Sequence, residues 1–205
     1  MYEGLLGSAW LSLPESVRSA HGPGRSRGTM RVTWGRGSLA RVAARLLRLP
    51  RPAAEVAVHL EVRPIAEGRL WIREIGGKTL SSGQRVAGGL LLEEFGPLLC
   101  AFRLRAAVGG PPAGLRHEAP SHERPSHELG ELRYEQEFAA VRLFGAWLRL
   151  PAWMSPKVRG RVCGAGVDAR TEVEIAAPLL GTILSYAGIT RPITEVRARD
   201  ACSTP

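Results

Sequence analysis

Lysine is nearly missing from this chain. Only Lys78 and Lys157 occur, so arginine carries almost all of the net charge of +9. A charge of that size suggests nucleic acid. The arginines are spread singly, however, with no dense basic run and no interleaved aromatics, so no nucleic-acid partner is expected. Cysteine is also scarce. Cys100, Cys163 and Cys202 are an odd set without CxxC spacing, which argues against a disulfide framework or a structural zinc site. Long apolar runs are missing too. "GGLLL" and "APLLGTILSYAG" fall short of the roughly 20 residues of a membrane span, and the N-terminus has no basic region ahead of its apolar residues. The expectation is a cytoplasmic protein with no membrane partner. There is no GxSxG elbow, no HExxH and no Walker sequence, so those nucleophile, zinc and phosphate chemistries have no anchor here.

What is present is alternation. "TMRVTW" places Met30, Val32 and Trp34 on one face. Val56, Val58, Leu60 and Val62 point one way along their segment, and Glu55, His59, Glu61 and Arg63 the other. "GRLWIREI" alternates again after a turn, which predicts a hairpin. "KTLSSGQRV", "LLLEEF", "LCAFRLRAAV", "LRYEQEFAAVRLFG" and "AWLRL" read as further strands, and "KVRGRVCGAGVDARTEVEIA" as one more hairpin. Helical spacing occurs in three places. Short turns open the chain. Ser38 reads as the N-cap of a helix over 38–49, with Leu39, Val42, Ala43, Leu46 and Leu47 as its packing stripe and Arg41, Arg45 and Arg48 opposite. Pro178 and Gly188 bracket "PLLGTILSYAG", which reads as a buried terminal helix. The fold class expected is α+β: a large, strongly curved antiparallel sheet of about 8–9 strands, packed with one long and several short helices. A cupped sheet of this kind encloses a hydrophobic pocket.

Four features bear on chemistry. Trp71 and Arg73 share one strand face, an arrangement that clamps a carboxylate or forms a cation–π pair. His59 would be a general base if its face lines a cavity. Glu93 and Glu94 are adjacent and must face opposite ways; a buried carboxylate is the best acid/base candidate, and Glu94 is taken as that residue. His59, Arg73 and Glu94 are therefore the candidate catalytic groups, and Trp34, Trp71, Arg73, Trp153 and Tyr186 the candidate ligand contacts. "VTWGRGSLA" imitates a dinucleotide fingerprint with Gly35, Gly37 and Ala40, but no second βαβ unit follows, so no cofactor is expected.

"HEAPSHERPSHEL" repeats a His-Glu pair every five residues, at His117, His122 and His127. Metal ligands on a helix sit three or four residues apart, and Pro120 and Pro125 break a helix here. The stretch reads as a low-complexity loop, and no metal is expected.

The ordered series "LPESVRSAHG", "RGTMRVTWGRGSLARVAARLLRLP", "GRLWIREIGGKTLSSGQ", "LEEFGPLLCAFRL", "LRLPAWMSP" and "EVEIAAPLLGTILSYAGI" resembles the bacterial family called domain of unknown function 4166. The resemblance covers about residues 2–190. Members of that family stand alone or are joined to Rossmann-type reductase modules, which implies a reductase as a partner. It supplies no activity and no catalytic residues. It also marks the histidine repeat as an insertion. One domain is thus expected over 1–190, with an insertion at 116–130 and a flexible tail at 191–205. The expected function is binding of a small apolar ligand, one with an acidic group included, in the sheet's concavity. The alternatives are a cofactor-independent isomerase, cyclase or lyase using the same pocket, and a non-catalytic partner module of a reductase.

Overall fold

The computed structural model describes residues 1–107 and 130–193. The histidine repeat, Cys202 and the tail beyond Ile193 lie outside the described residues. Three short helices open the chain: α1 (Tyr2–Leu6), α2 (Ser8–Leu11) and α3 (Glu15–Ala20). Then come β1 (Gly24–Trp34), α4 (Ser38–Leu46), β2 (Ala53–Ile65), β3 (Gly68–Ile75), β4 (Lys78–Ala87), β5 (Leu90–Phe95) and β6 (Leu98–Ala107). The remainder is β7 (Glu131–Leu143), β8 (Ala146–Arg149), β9 (Lys157–Ala165), β10 (Asp168–Ala177) and β11 (Gly181–Ile193).

The sheet is antiparallel, as its alternating pattern predicts, but it is not open. β1 pairs with β11 along most of its length, and β6 pairs with β7, so ten strands close into a barrel. Closure removes the sheet edges that an open sheet must protect. β7 shares its outer edge: β9 takes the Glu131–Glu135 half and β8 the Ala140–Leu143 half. Residues 151–156 bridge the gap that this leaves, tied by Gln136, which donates to the Pro156 carbonyl and accepts from the Val158 amide.

Three expectations need correcting. "PLLGTILSYAG" is not a helix. It opens β11, in which Ile183 and Leu184 are both buried because the strand has the barrel interior on one side and α4 on the other. Gly188 is no helix cap; a Cβ there would overlap the Thr29 carbonyl of β1. The strand read at "TMRVTW" is longer than its alternation shows and already begins at Gly24. Finally, α4 is turned round. Its buried residues are Ala40 and Ala44, and Leu39, Val42, Leu46 and Leu47 are exposed. The small face wins because α4 lies close on the barrel wall; a Cβ at Gly35 would overlap the Thr182 carbonyl and crowd Ala40. Gly35 thus serves a close approach of backbones, and Gly37 rather than Ser38 occupies the N-cap position.

The inward residues form the main core. Val62, Trp71, Leu91, Phe102, Leu104, Leu132 and Val162 meet Tyr2, Leu13, Val17 and Ala20 from α1, α3 and the chain between them. These N-terminal helices plug one end of the barrel. A smaller cluster of Leu92, Leu99, Ala101 and Ala140 lies on the outside of β5–β7, with Trp147 of β8 packed against it. Elsewhere the outer face is charged, with Arg63–Glu61, Arg103–Glu137, Arg105–Glu135 and Arg191–Asp168 pairs. Exposed pairs of this kind add about 0–1 kcal/mol each, but they mark a wall that faces water. A lipid-embedded barrel has the reverse pattern, apolar outside and polar inside.

Candidate functional site in the barrel interior

A cavity of about 500 Å³ runs down the barrel, within the range of about 300–1,000 Å³ typical of small-ligand sites. Its walls are mostly aliphatic, from Met30, Val58, Leu60, Ile75, Leu80, Ile175 and Leu184 among others. Ala20 and His21 lie at the plugged end, and Leu47 and Leu49, which follow α4, lie at the other.

One wall is polar. Arg73 donates to the Ser82 hydroxyl at 2.7 Å and to Glu93 Oε1 at 2.9 Å, and Ser82 donates to the same Oε1 at 2.6 Å. The three groups come from β3, β4 and β5, which cross-strand register places side by side: Arg73 opposes Leu80, and Gln84 opposes Glu93. Arg73 also lies over the Trp71 ring, 4.9 Å from its centroid. Burial lowers the Arg73 pKa most, but the charge and hydrogen bond of Glu93 outweigh it, so the guanidinium is held more firmly charged than usual. Breaking one half of such a buried pair costs about 3–5 kcal/mol. The indole N–H of Trp71 is buried and has no partner among the described residues.

A second polar group sits at the plug. The Tyr2 hydroxyl donates to Gln84 Oε1 at 2.7 Å and lies 3.4 Å from the Tyr134 hydroxyl. Burial pushes both phenols well above the usual tyrosine pKa. His21 packs edge-on against Tyr2, Trp10 and Trp71 and stacks on Tyr134. Its Nδ1–H donates to the Val17 carbonyl at 2.7 Å, and burial pulls its pKa down to about 4, so it is neutral at pH 7. Arg69 donates to the His21 carbonyl and completes the floor. Cys100 lines the cavity too, but burial raises its thiol to about 12, which makes it a poor nucleophile.

Of the candidate residues read from the sequence, Trp71, Arg73 and Tyr186 share this cavity. Burial raises the Tyr186 phenol, with Arg73 opposing. His59 lies exposed on the outer face of β2. Glu94 faces outward on β5, where Arg85 pairs with it at 3.2 Å, and its neighbour Glu93 is the inward carboxylate. Trp34 packs beside the Met30–Val32 cluster and donates its indole N–H to the Pro50 carbonyl at 2.7 Å. Trp153 is exposed in the 151–156 bridge. Strand parity from Leu91 would have pointed to Glu93, but Leu92 is buried as well, under β8, and hides that parity. Tyr2 and Gln84 carry no signal in the sequence. Among the described residues no three His, Cys, Asp or Glu side chains gather as metal ligands.

The model for a domain of unknown function, DUF4166, matches residues 13–116 and 122–189. The chain belongs to this family. The match breaks over 117–121, which is one five-residue unit of the histidine repeat. No curated protein matches the chain. A solved structure of a DUF3598-family protein of unknown function from Nostoc punctiforme aligns with 83% of this chain at 10% identity and a TM-score of 0.40. This chain spans 47% of that protein's length.

Proposed function

We propose that the barrel interior binds a small, largely apolar molecule bearing one hydrogen-bond-accepting group. The observation that carries this reading is the buried polar wall inside an otherwise aliphatic cavity of about 500 Å³. A purely structural core would fill that space, because interiors pack nearly as densely as crystals. The unpartnered Trp71 N–H and the terminal nitrogens of Arg73 offer donors beside each other. Glu93 neutralises Arg73, so the wall supplies donors without net positive charge. That favours a carbonyl or hydroxyl group on the ligand over a free carboxylate.

The test is native mass spectrometry of the purified full chain. A non-covalent adduct extractable into organic solvent is expected. Val173 of β10 lines the cavity, and the filling variant Val173→Trp should lose the adduct, whereas Trp153→Ala should keep it. A folded wild-type protein that carries no adduct and binds no environment-sensitive apolar dye would overturn the reading.

A cofactor-independent enzyme is the second reading. It is favoured by the gathering of Glu93, Tyr134 and His21 around one cavity. Chemical conversion of the bound molecule, abolished by Glu93→Gln, would decide for turnover, and recovery of the molecule unchanged would decide for carriage.

A further inference from the structure

We infer that the α4 end of the barrel docks on an anionic lipid surface, with α4 lying in the interface. This surface stands whether or not the cavity is occupied. Leu39, Val42 and Leu46 lie on one side of α4, and Leu39 and Leu46 are 66% and 79% exposed. Other turns at this end repeat the theme. Phe144 between β7 and β8 and Leu179 between β10 and β11 are fully exposed, and Trp153 and Met154 are exposed in the neighbouring bridge. The register places these turns together, since the ends of β1, β7 and β10 and the starts of β2, β9 and β11 all lie at the α4 end.

The backbone gives a second observation. Among the described residues, three non-glycines adopt left-handed φ: Arg48 at 53°, Phe144 at 49° and Leu179 at 66°. All three sit at this end. Glycine or asparagine would serve such turns at lower cost, yet two of the three positions hold a large apolar side chain turned to solvent.

Charge supplies the third and selects the partner. No acidic residue occurs between Glu15 and Glu55. Arg36, Arg41, Arg45, Arg48 and Arg51 flank the apolar face, and none of them makes an ion pair among the described residues. The outer wall differs in that many of its arginines are paired. An apolar stripe with arginines beside it is the pattern of a helix that lies in a bilayer interface, and anionic headgroups answer the unpaired charge. A second copy of the chain would bring the same five arginines against each other. The chain's own remaining segments join at the opposite end, at Ala107 and Glu131 and after Ile193. The expectation of no membrane partner rested on spanning length. Among the described residues no helix is long and apolar enough to cross, but lying on a surface requires no span.

The experiment is co-sedimentation of the full chain with vesicles of phosphatidylcholine alone and of phosphatidylcholine mixed with phosphatidylserine. Binding is expected to the mixed vesicles only, and it should weaken with added salt. Leu39→Ser with Leu46→Ser should lower vesicle affinity roughly tenfold or more, because each change withdraws about three carbons from the bilayer. Arg41→Gln and Arg45→Gln should cost roughly fivefold each. Ile65→Ser with Val167→Ser, exposed at the plugged end, should change nothing. Absence of binding to mixed vesicles, or binding indifferent to the leucine pair in a protein of unchanged Tm, overturns the inference. So does a dimer in light scattering that the leucine pair dissociates, since the rim would then be covered by a second copy.

Discussion

The two ends of the barrel solve opposite problems with the same kinds of residue. At the plugged end, short N-terminal helices bury Tyr2, Leu13, Val17 and Ala20 against the strands, and the polar atoms of Tyr2, His21 and Gln84 find partners inside the fold. At the other end a better-formed helix buries only alanines and leaves its leucines in water. Amphipathic pattern alone would have ranked α4 as the better core element. The difference teaches that a helix packs by the face its neighbour leaves room for. The bare backbone at Gly35 admits a close alanine contact there.

This contrast predicts that stability is concentrated around the plugged interior and is nearly absent from the rim. The largest effect should follow from splitting the buried ion pair. Glu93→Ala should destabilise by about 4 kcal/mol in urea denaturation, and Arg73→Met with Glu93→Met should recover much of that loss. Acid should come next. His21 has an ordinary pKa of 6.5 when unfolded and about 4 when folded, so the unfolded chain binds the proton first. Its contribution is complete above pH 6.5 and lost as pH falls towards 4, amounting to about 3 kcal/mol. Stability curves for the protein and for His21→Gln should converge over that window, and parallel curves would assign the acid sensitivity elsewhere. Tyr2→Phe deprives buried Gln84 of its donor and should cost about 1–2 kcal/mol, measured by the same unfolding curves. Leu46→Ser at the rim should stay within about 0.5 kcal/mol by the same measurement. A loss above about 2 kcal/mol would show that the rim leucines belong to the core after all and erase the contrast between the ends.

Much of the barrel wall was legible because two-sided strands leave a mark. β2 alternates, with water on one face and the cavity on the other, so Val58 and Val62 share a face in the sequence as in the structure. Trp71 and Arg73 likewise share one face of β3, and the barrel turns that face inward. The mark vanishes where both faces are covered. β11 has the interior on one side and α4 on the other, and its largely apolar run reads as helix. Leu92 on the outer face of β5 is buried in the cluster that holds Trp147, which hides the parity that sets the inward Glu93 apart from the expected Glu94. His59 followed the outward parity correctly, but a barrel turns that face to solvent.

Local patterning by itself determined the antiparallel strands, the hairpin turns, the short helices at 15–20 and after Ser38, and the pairing of an aromatic with an arginine on one strand face. Side-chain period is a property of neighbouring residues, so it is written in the chain. Closure was decided only in three dimensions. The β1–β11 and β6–β7 seams join segments far apart in sequence, and the energy that selects them is the burial of a shared interior. The seams turned a curved sheet into a barrel and set Tyr134 and Tyr186 around the same cavity as the Arg73–Glu93 pair.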